Sequence, residues 1–277
     1  MMTVLEVLRG AAEYLEKKGV ESPRLNAEHL LARVLGVRRL ELYLQFDRPL
    51  GEAERAPLRD LVRERGTGRP LQHLLGTAWF CGREFLCDSR ALIPRPETEQ
   101  LVEAVLARLP ATAARVADVG TGSGVIAITL ALERPACRVV ATDLHPEALA
   151  LAGENAARLS AVVEFFEADL LPSDAGEFDA ILANLPYIPS AEIAALDREV
   201  RHDPLTALDG GADGTDPIRR LAALVGRHLA PGGFLALEIG DGQSAALAEC
   251  LAGHNFRDIA RLTDYQKKER FLIAHHG

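Results

Sequence analysis

The sequence predicts an α/β fold: a doubly wound sheet of seven mostly parallel strands, with a small helical bundle in front of it. Three observations carry this expectation. From Ala114 onwards strand-like and helix-like segments alternate. A glycine-rich turn follows directly on the first of those strands. The first seventy or so residues, by contrast, show helical periodicity alone.

In the front region, Val4, Leu5, Leu8, Ala11, Ala12 and Leu15 recur at three- and four-residue steps and share one helical face. Gly19 ends that run. Ser22 followed by Pro23 reads as the next helix start, a capping hydroxyl before a proline whose missing N–H costs nothing there. Leu25, Leu30, Leu31, Val34 and Leu35 form its apolar face, and Gly36 closes it. Two further helical stretches cover roughly 38–46 and 52–65.

The run Gly-Thr-Gly-Arg-Pro at 66–70 is turn-rich and marks a change of pattern, so residues 1–70 are expected to form a helical domain. Residues 71–93, with Trp79, Phe80 and Phe85, read as a hairpin-like connector. Residues 94–277 hold the α/β domain. Its strands are expected at 115–119, 138–143, 162–167, 178–183 and 234–239, with helices at 125–133 and 146–159. Two terminal strands follow at 257–262 and 269–274, and His275 and His276 beside Gly277 read as tail residues.

Composition is that of a globular protein with a sizeable core: 277 residues, 48% hydrophobic and 26% charged. No stretch approaches the roughly 18 apolar residues of a membrane span. Early charges at Glu6, Arg9, Glu13 and Glu16 fit no secretory signal, so a cytoplasmic address is expected. Cys81, Cys87, Cys137 and Cys250 form no CxxC pair and no zinc-ligand spacing, which suits free thiols in a reducing compartment and no metal site. The net charge of −9 is uneven: residues 1–80 carry 13 Lys/Arg against 11 Asp/Glu, and the remainder 18 against 29. So acidic a main region argues against duplex DNA, whose binders neutralise phosphates.

The first strand runs into Asp118-Val119-Gly120-Thr121-Gly122-Ser123-Gly124. This is GxGxG, not the GxGxxG of a dinucleotide site, and no lysine follows to make a P-loop. Such a loop suits a ligand without phosphates, such as the amino-acid portion of S-adenosyl-L-methionine; a nicotinamide cofactor is the weaker alternative. Asp143, at the tip of the second strand, is placed to accept hydrogen bonds from both ribose hydroxyls. Asp169, after the third strand, is placed near the adenine, with a solvated loop aspartate as the alternative. Asp118, beneath the loop, is expected to hold its shape.

The fourth strand leads into Asn184-Leu185-Pro186-Tyr187-Ile188-Pro189. Beside a sulfonium methyl, such a turn has a specific use. An amide nitrogen is a poor nucleophile because its lone pair is delocalised into the carbonyl. Two fixed acceptors, the Asn184 side-chain oxygen and the Leu185 main-chain carbonyl, can orient an NH₂ group towards the methyl, and Tyr187 can cover the planar amide. Positioning and preorganised dipoles then carry the reaction without a strong base.

At these residues the chain resembles the release factor glutamine methyltransferases, the HemK-type family, over nearly its full length. The matching segments are Ile93–Glu99 (Ile-Pro-Arg-Pro-Glu-Thr-Glu), the glycine loop, Asp143, the turn at Asn184, Pro186 and Tyr187, Arg201–Leu208, Asp209–Gly214, and Pro231–Phe234. The resemblance implies a class I, Rossmann-like methyltransferase domain that uses S-adenosyl-L-methionine and releases S-adenosyl-L-homocysteine. It implies N5-methylation of the glutamine in the Gly-Gly-Gln motif of class 1 peptide-chain release factors, with the front helical domain docking the substrate. It further implies that Gly120, Thr121, Gly122, Ser123, Gly124, Asp143, Asp169, Leu170 and Asn184 hold the cofactor. Asn184, Leu185, Pro186 and Tyr187 then take the substrate amide, with Arg95 and Glu97 bordering the substrate pocket. Two positions depart from the family: Leu185 replaces a proline, which loosens the turn and returns an N–H, and Leu170 stands where an aromatic packs on adenine. Two other readings stay open: N6-adenine methylation of DNA, since the same turn fits a flipped adenine, and a cofactor-binding scaffold without activity.

Overall fold

Thr3 starts the first helix as a reciprocal cap: its hydroxyl accepts from the Glu6 N–H at 3.3 Å, and the Glu6 carboxylate accepts from the Thr3 N–H at 2.8 Å. The helix so begun is α1 (Val4–Lys17), and the two-residue strand β1 (Met2–Thr3) before it pairs antiparallel with β2 (Pro49–Leu50). A computed structural model describes residues 2–110 and 112–277 of the chain. Two units emerge: Met1–Thr77 with Asp197–His202, and Ala78–Leu196 with Asp203–Gly277.

The first unit is helical. Besides α1 it holds α2 (Pro23–Leu35), a 3₁₀ helix at Arg39–Gln45, α3 (Glu52–Gly66) and the short α4 (Leu71–Leu75). Leu8, Leu30, Leu31, Leu58 and Leu74 meet in one apolar core. The expected Ser22 cap does not form. Ser22 is left-handed (φ +48°) and its hydroxyl bonds no helix N–H. The Asn26 amide ties this entry instead, donating to the carbonyls of Glu21 at 3.0 Å and Ser22 at 3.1 Å. Gly36 closes α2 at φ +65°, as its position after the last apolar residue predicts. The helix α4 left no signal, because five residues are too few to show a period. Arg65, buried, donates to the Asn26 side chain at 2.7 Å and pairs with Glu199 of the same unit.

The second unit opens with β3 (Thr77–Phe80) and β4 (Arg83–Leu86), a two-stranded sheet that places Phe80 edge-on to Phe85. Next come α5 (Pro96–Leu106), β5 (Arg115–Val119), α6 (Val125–Glu133), β6 (Arg138–Asp143), α7 (Pro146–Leu159), β7 (Glu164–Glu167) and β8 (Phe178–Ala183). The chain ends through α8 (Asp216–Val225), β9 (Leu229–Glu238), α9 (Ser244–Gly253), β10 (Phe256–Thr263) and β11 (Glu269–His276).

Seven strands form one sheet in the order β10-β11-β9-β8-β5-β6-β7. Strands β9, β8, β5, β6 and β7 pair in parallel; β11 alone runs the other way, pairing antiparallel with both β9 and β10. Alternation along each strand feeds two cores. Val116, Ala141, Leu182 and Ala236 face α5 and α6, whereas Ala117, Val140, Ile181 and Leu235 face α8 and α9. The predicted doubly wound class is thus borne out. Two details differ. Val162 is exposed and lies before β7, which starts at Glu164. His275 and His276 are no tail: they belong to β11, which lies between β9 and β10, and their rings pack on Phe234 and Phe256. A strand paired on both sides needs its last residues.

This topology fixes where a ligand can bind. The chain leaves β5 in one direction for β6 and β7, then returns to the other side of β5 for β8 and β9. The crossovers diverge at the carboxyl ends of β5 and β8, and a crevice opens there.

Candidate active site

That crevice is a cleft of about 1110 Å³. Its floor is the loop after β5, where Gly120, Gly122 and Gly124 all have positive φ (+72°, +55° and +82°). Their surroundings differ. A β-carbon on Gly124 would lie 3.0 Å from that of Ala152, so this glycine lets α6 approach α7 and does not line the cleft. A β-carbon on Gly122 would meet nothing nearer than Ala91 at 3.7 Å, so its backbone is bare towards the cleft.

Asp118 holds the loop from below. One carboxylate oxygen accepts from the Thr121 hydroxyl at 2.6 Å and the Ala127 N–H at 3.1 Å; the other is buried without a partner. Burial pushes its pKa up to about 7, against the pull of those two bonds. Asp143 ties the loop to its neighbour: its carboxylate accepts from the N–H groups of Gly122 and His145, both at 2.9 Å, and lines the cleft. Leu170 sits at φ +68° with its carbonyl accepting from the Thr142 hydroxyl at 2.6 Å. Asp169 lines the cleft in an exposed ion pair with Arg220 of α8, a partner that no local sequence signal announced.

The turn after β8 forms the opposite wall. The Asn184 Nδ2 group donates to the Thr98 hydroxyl at 3.1 Å, which donates onward to Glu238 Oε2 at 2.7 Å. Among the described residues no protein donor is recorded for the Asn184 side-chain oxygen, and the residue lines the cleft. Thr98 stands buried in the first turn of α5. Glu238, an acid closing the apolar strand Phe-Leu-Ala-Leu-Glu, was a legible signal that sequence reasoning passed over. Burial pushes Glu238 up to about 7, while Thr98, Arg270 and Asn184 pull it down.

Packing from behind fixes the turn. Gln243 donates to the Tyr187 carbonyl at 2.9 Å, Ile188 N–H to Leu208 at 3.1 Å, and Gly210 N–H to Ile188 at 2.8 Å. A β-carbon on Gly210 would lie 2.7 Å from the Pro186 carbonyl, and one on Gly214 2.3 Å from that of Tyr187. The Asp209–Gly214 segment is glycine-rich because it lies directly on this turn.

The cleft therefore brings together Arg95, Gly120, Thr121, Gly122, Ser123, Asp143, Asp169, Leu170, Asn184, Leu185 and Pro186. It leaves Gly124, Glu97 and Tyr187 off its wall. The Tyr187 ring packs against the core under α8 and α9, and burial raises its hydroxyl to about 12. Arg95 also has a structural partner: it donates at 2.6 Å to Asp203, whose other oxygen accepts from the Ile93 N–H at 3.1 Å. A bare backbone beside a carboxylate, with apolar walls from Leu144 and Leu170, fits an adenosine carrying an amino-acid tail. Among the described residues no group of His, Cys, Asp and Glu could hold a metal ion, and no helix is long and apolar enough to cross a membrane.

Comparison with known proteins gives the same picture. Residues 6–76 match the family model described as PrmC N-terminal domain, and residues 97–201 that of the methyltransferase small domain. A release factor glutamine methyltransferase of Geobacter sulfurreducens is 44% identical over 99% of this chain and 97% of its own length. One of Deinococcus radiodurans is 41% identical over 99% and 98%. Among solved structures, a methyltransferase from Pyrococcus furiosus aligns with a TM-score of 0.56 at 19% identity, over 71% of this chain and 90% of that one. The T. thermophilus 16S rRNA N2 G1207 methyltransferase, solved with AdoMet and guanosine, aligns with a TM-score of 0.52 at 19% identity, over 73% and 50%. At such identities the two structures bear on the fold alone.

Proposed function

Because the chain belongs to the release factor glutamine methyltransferase family, we propose that it methylates the side-chain amide nitrogen (N5) of the Gly-Gly-Gln glutamine in class 1 peptide-chain release factors. The methyl donor is S-adenosyl-L-methionine, and S-adenosyl-L-homocysteine is the product. The observation that supports this reading best is the tethered Asn184 amide, whose N–H is engaged by Thr98 while its oxygen is left for the cleft.

When bound, the cofactor supplies a methyl group on a sulfonium, which is electrophilic without help. The protein's task is the nucleophile. The Asn184 oxygen and the Leu185 carbonyl accept the two hydrogens of the substrate NH₂, turning its nitrogen lone pair towards the methyl. Both acceptors are fixed beforehand, so no reorganisation is needed as charge develops. As the N–C bond forms and the C–S bond breaks, the nitrogen sheds one proton to water. Neither carbonyl retains it. Gly122 and Asp143 hold the donor's amino-acid tail and ribose, Asp169 and Leu170 meet its adenine, and Pro186 stiffens the acceptor turn. Arg95 and Glu97 belong to the substrate side.

A release factor incubated with methyl-labelled cofactor tests this. The expected result is one methyl on the Gly-Gly-Gln glutamine, located by mass spectrometry, and none when that glutamine is replaced. Asn184→Ala abolishes transfer while cofactor affinity falls much less. Methylation of DNA alone, or normal turnover by Asn184→Ala, overturns the reading.

A further inference from the structure

We propose that Glu238, acting through the Thr98 hydroxyl, is the positioning residue that sets which end of the Asn184 amide faces the cleft. The inference rests on the acceptor role given above to the Asn184 oxygen, and adds what holds that oxygen in place.

The argument is one of hydrogen-bond polarity. A threonine hydroxyl carries a single proton. Here that proton goes to Glu238 Oε2, 2.7 Å away. Only lone pairs of Thr98 then remain for Asn184, so Asn184 must present its NH₂ to Thr98, and it does so at 3.1 Å. An amide that turns its NH₂ inwards turns its oxygen outwards. Reversing the chain reverses the site. A neutral Glu238 can donate to Thr98, which frees the hydroxyl proton to meet the Asn184 oxygen. The amide would then flip and aim a donor at the donor NH₂ of the substrate. Glu238 and Thr98 are both buried, so the bond between them lies out of bulk water.

The groups facing Glu238 are Glu97 and Thr98 of α5, Asn184 and Tyr187 of the turn after β8, and Arg270 of β11. Burial and Glu97 favour its neutral form, whereas Thr98, Asn184 and Arg270 favour the carboxylate. The balance lies near neutrality, within the range where the enzyme can be assayed. The charged form gives the productive polarity, so kcat should fall as the pH drops through this range.

The experiment uses the full-length enzyme, a purified release factor and S-adenosyl-L-methionine, with kcat and both KM values measured from pH 5.5 to 9. Thr98→Val should lower kcat about tenfold or more, the loss of one oriented buried hydrogen bond, with the cofactor KM within about twofold. Thr98→Ser, which restores the hydroxyl, should recover most of it. Glu238→Gln cannot titrate, and its amide can offer Thr98 either an oxygen or an NH₂. Its kcat at pH 8 should lie at or below that of the wild type and show no acid limb. Equal losses in Thr98→Val and Thr98→Ser, or the same acid limb in Glu238→Gln and wild type, would overturn the proposal. Asn184→Ala separates the two levels: if it is inactive while Thr98→Val is normal, the relay fails and the acceptor role stands. If Asn184→Ala is itself normal, the acceptor role fails.

Discussion

Leu185 closes over the bare face of Gly120: a β-carbon on that glycine would lie 2.7 Å from the Leu185 Cδ2 atom. Leu185 thus fills the space left by the glycine loop, and its side chain is buried there. Gly120→Ala meets two obstacles, this contact and a left-handed φ of +72°. The φ alone costs about 1–2 kcal/mol. Cofactor affinity measured by calorimetry should fall about tenfold or more in Gly120→Ala. Leu185→Ala in the same chain should return only part of it, since trimming the leucine relieves the contact and leaves the backbone strain. Full recovery in the double variant would mean the backbone is unstrained.

Gly214 controls the Asn184–Tyr187 turn from behind. A β-carbon there would press on the Tyr187 carbonyl at 2.3 Å, which Gln243 also holds. The turn is backbone on both sides and cannot yield cheaply. Gly214→Ala should therefore lower kcat by about 10²-fold, as small misplacements of a positioning group do, with little change in cofactor affinity. Gln243→Ala should act in the same direction and more weakly, as it removes a tether without adding a clash. Parallel loss of cofactor binding in steady-state and binding assays would show instead that the whole cleft had shifted.

Arg95 is asked to serve two roles, and one double variant separates them. Its ion pair with Asp203 involves a carboxylate with 0% exposed side chain, while the arginine is 33% exposed. Removing the arginine takes a charged partner from that buried carboxylate, so Arg95→Ala should destabilise by about 1–3 kcal/mol, below the cost for a pair buried on both sides. Asp203→Asn added to it should recover much of the melting temperature, because the amide still accepts from the Ile93 N–H. If Arg95 also touches the substrate, the KM for the release factor stays raised in the double variant. A KM that returns with stability would confine Arg95 to the scaffold.

The glycine-loop side of the cleft was more legible in the sequence than the Asn184 side. Gly120–Gly124 and Asp143 stand at strand ends, and the short, mostly apolar parallel strands that carry them can be read from the sequence, so their positions follow from local pattern. Asn184 could be found for the same reason. What fixes it could not, because Thr98 lies 86 residues from Asn184 and 140 from Glu238, and only the packing of α5 on β8 and β9 brings the three together. Arg220 beside Asp169 and Gln243 beside Tyr187 were hidden likewise. At Ser22 the failure was of another kind: the cap residue was the right type, but its left-handed backbone leaves the hydroxyl without a helix N–H, and Asn26 ties the entry through the carbonyls of Glu21 and Ser22 instead.

Stability should depend on pH through Asp118. Its pKa is raised from 3.8 to about 7 by burial, so the folded chain holds this proton more tightly than the unfolded chain. A raised carboxyl pKa contributes stability that is full below the unfolded value and is lost as pH climbs through the folded one. The full span is on the order of 4 kcal/mol, at about 1.4 kcal/mol per pH unit between the two values. Glu238, raised from 4.5 to about 7, slopes the same way. His29 slopes against both, because its pKa is lowered by burial, so stability from that group falls as pH drops below 6.5. The raw melting curve mixes these effects, and a difference removes the mixture. Asp118→Asn still accepts from Thr121 and Ala127, but sets an NH₂ where the partnerless oxygen was, at a pH-independent cost of about 1–3 kcal/mol. Scanning calorimetry should find Asp118→Asn well below wild type at pH 5.5, with the gap narrowing or reversing by pH 8.5. A gap of constant size would mean that Asp118 keeps one protonation state across that range, and that the orphan oxygen beneath the glycine loop is stabilised by something other than a proton.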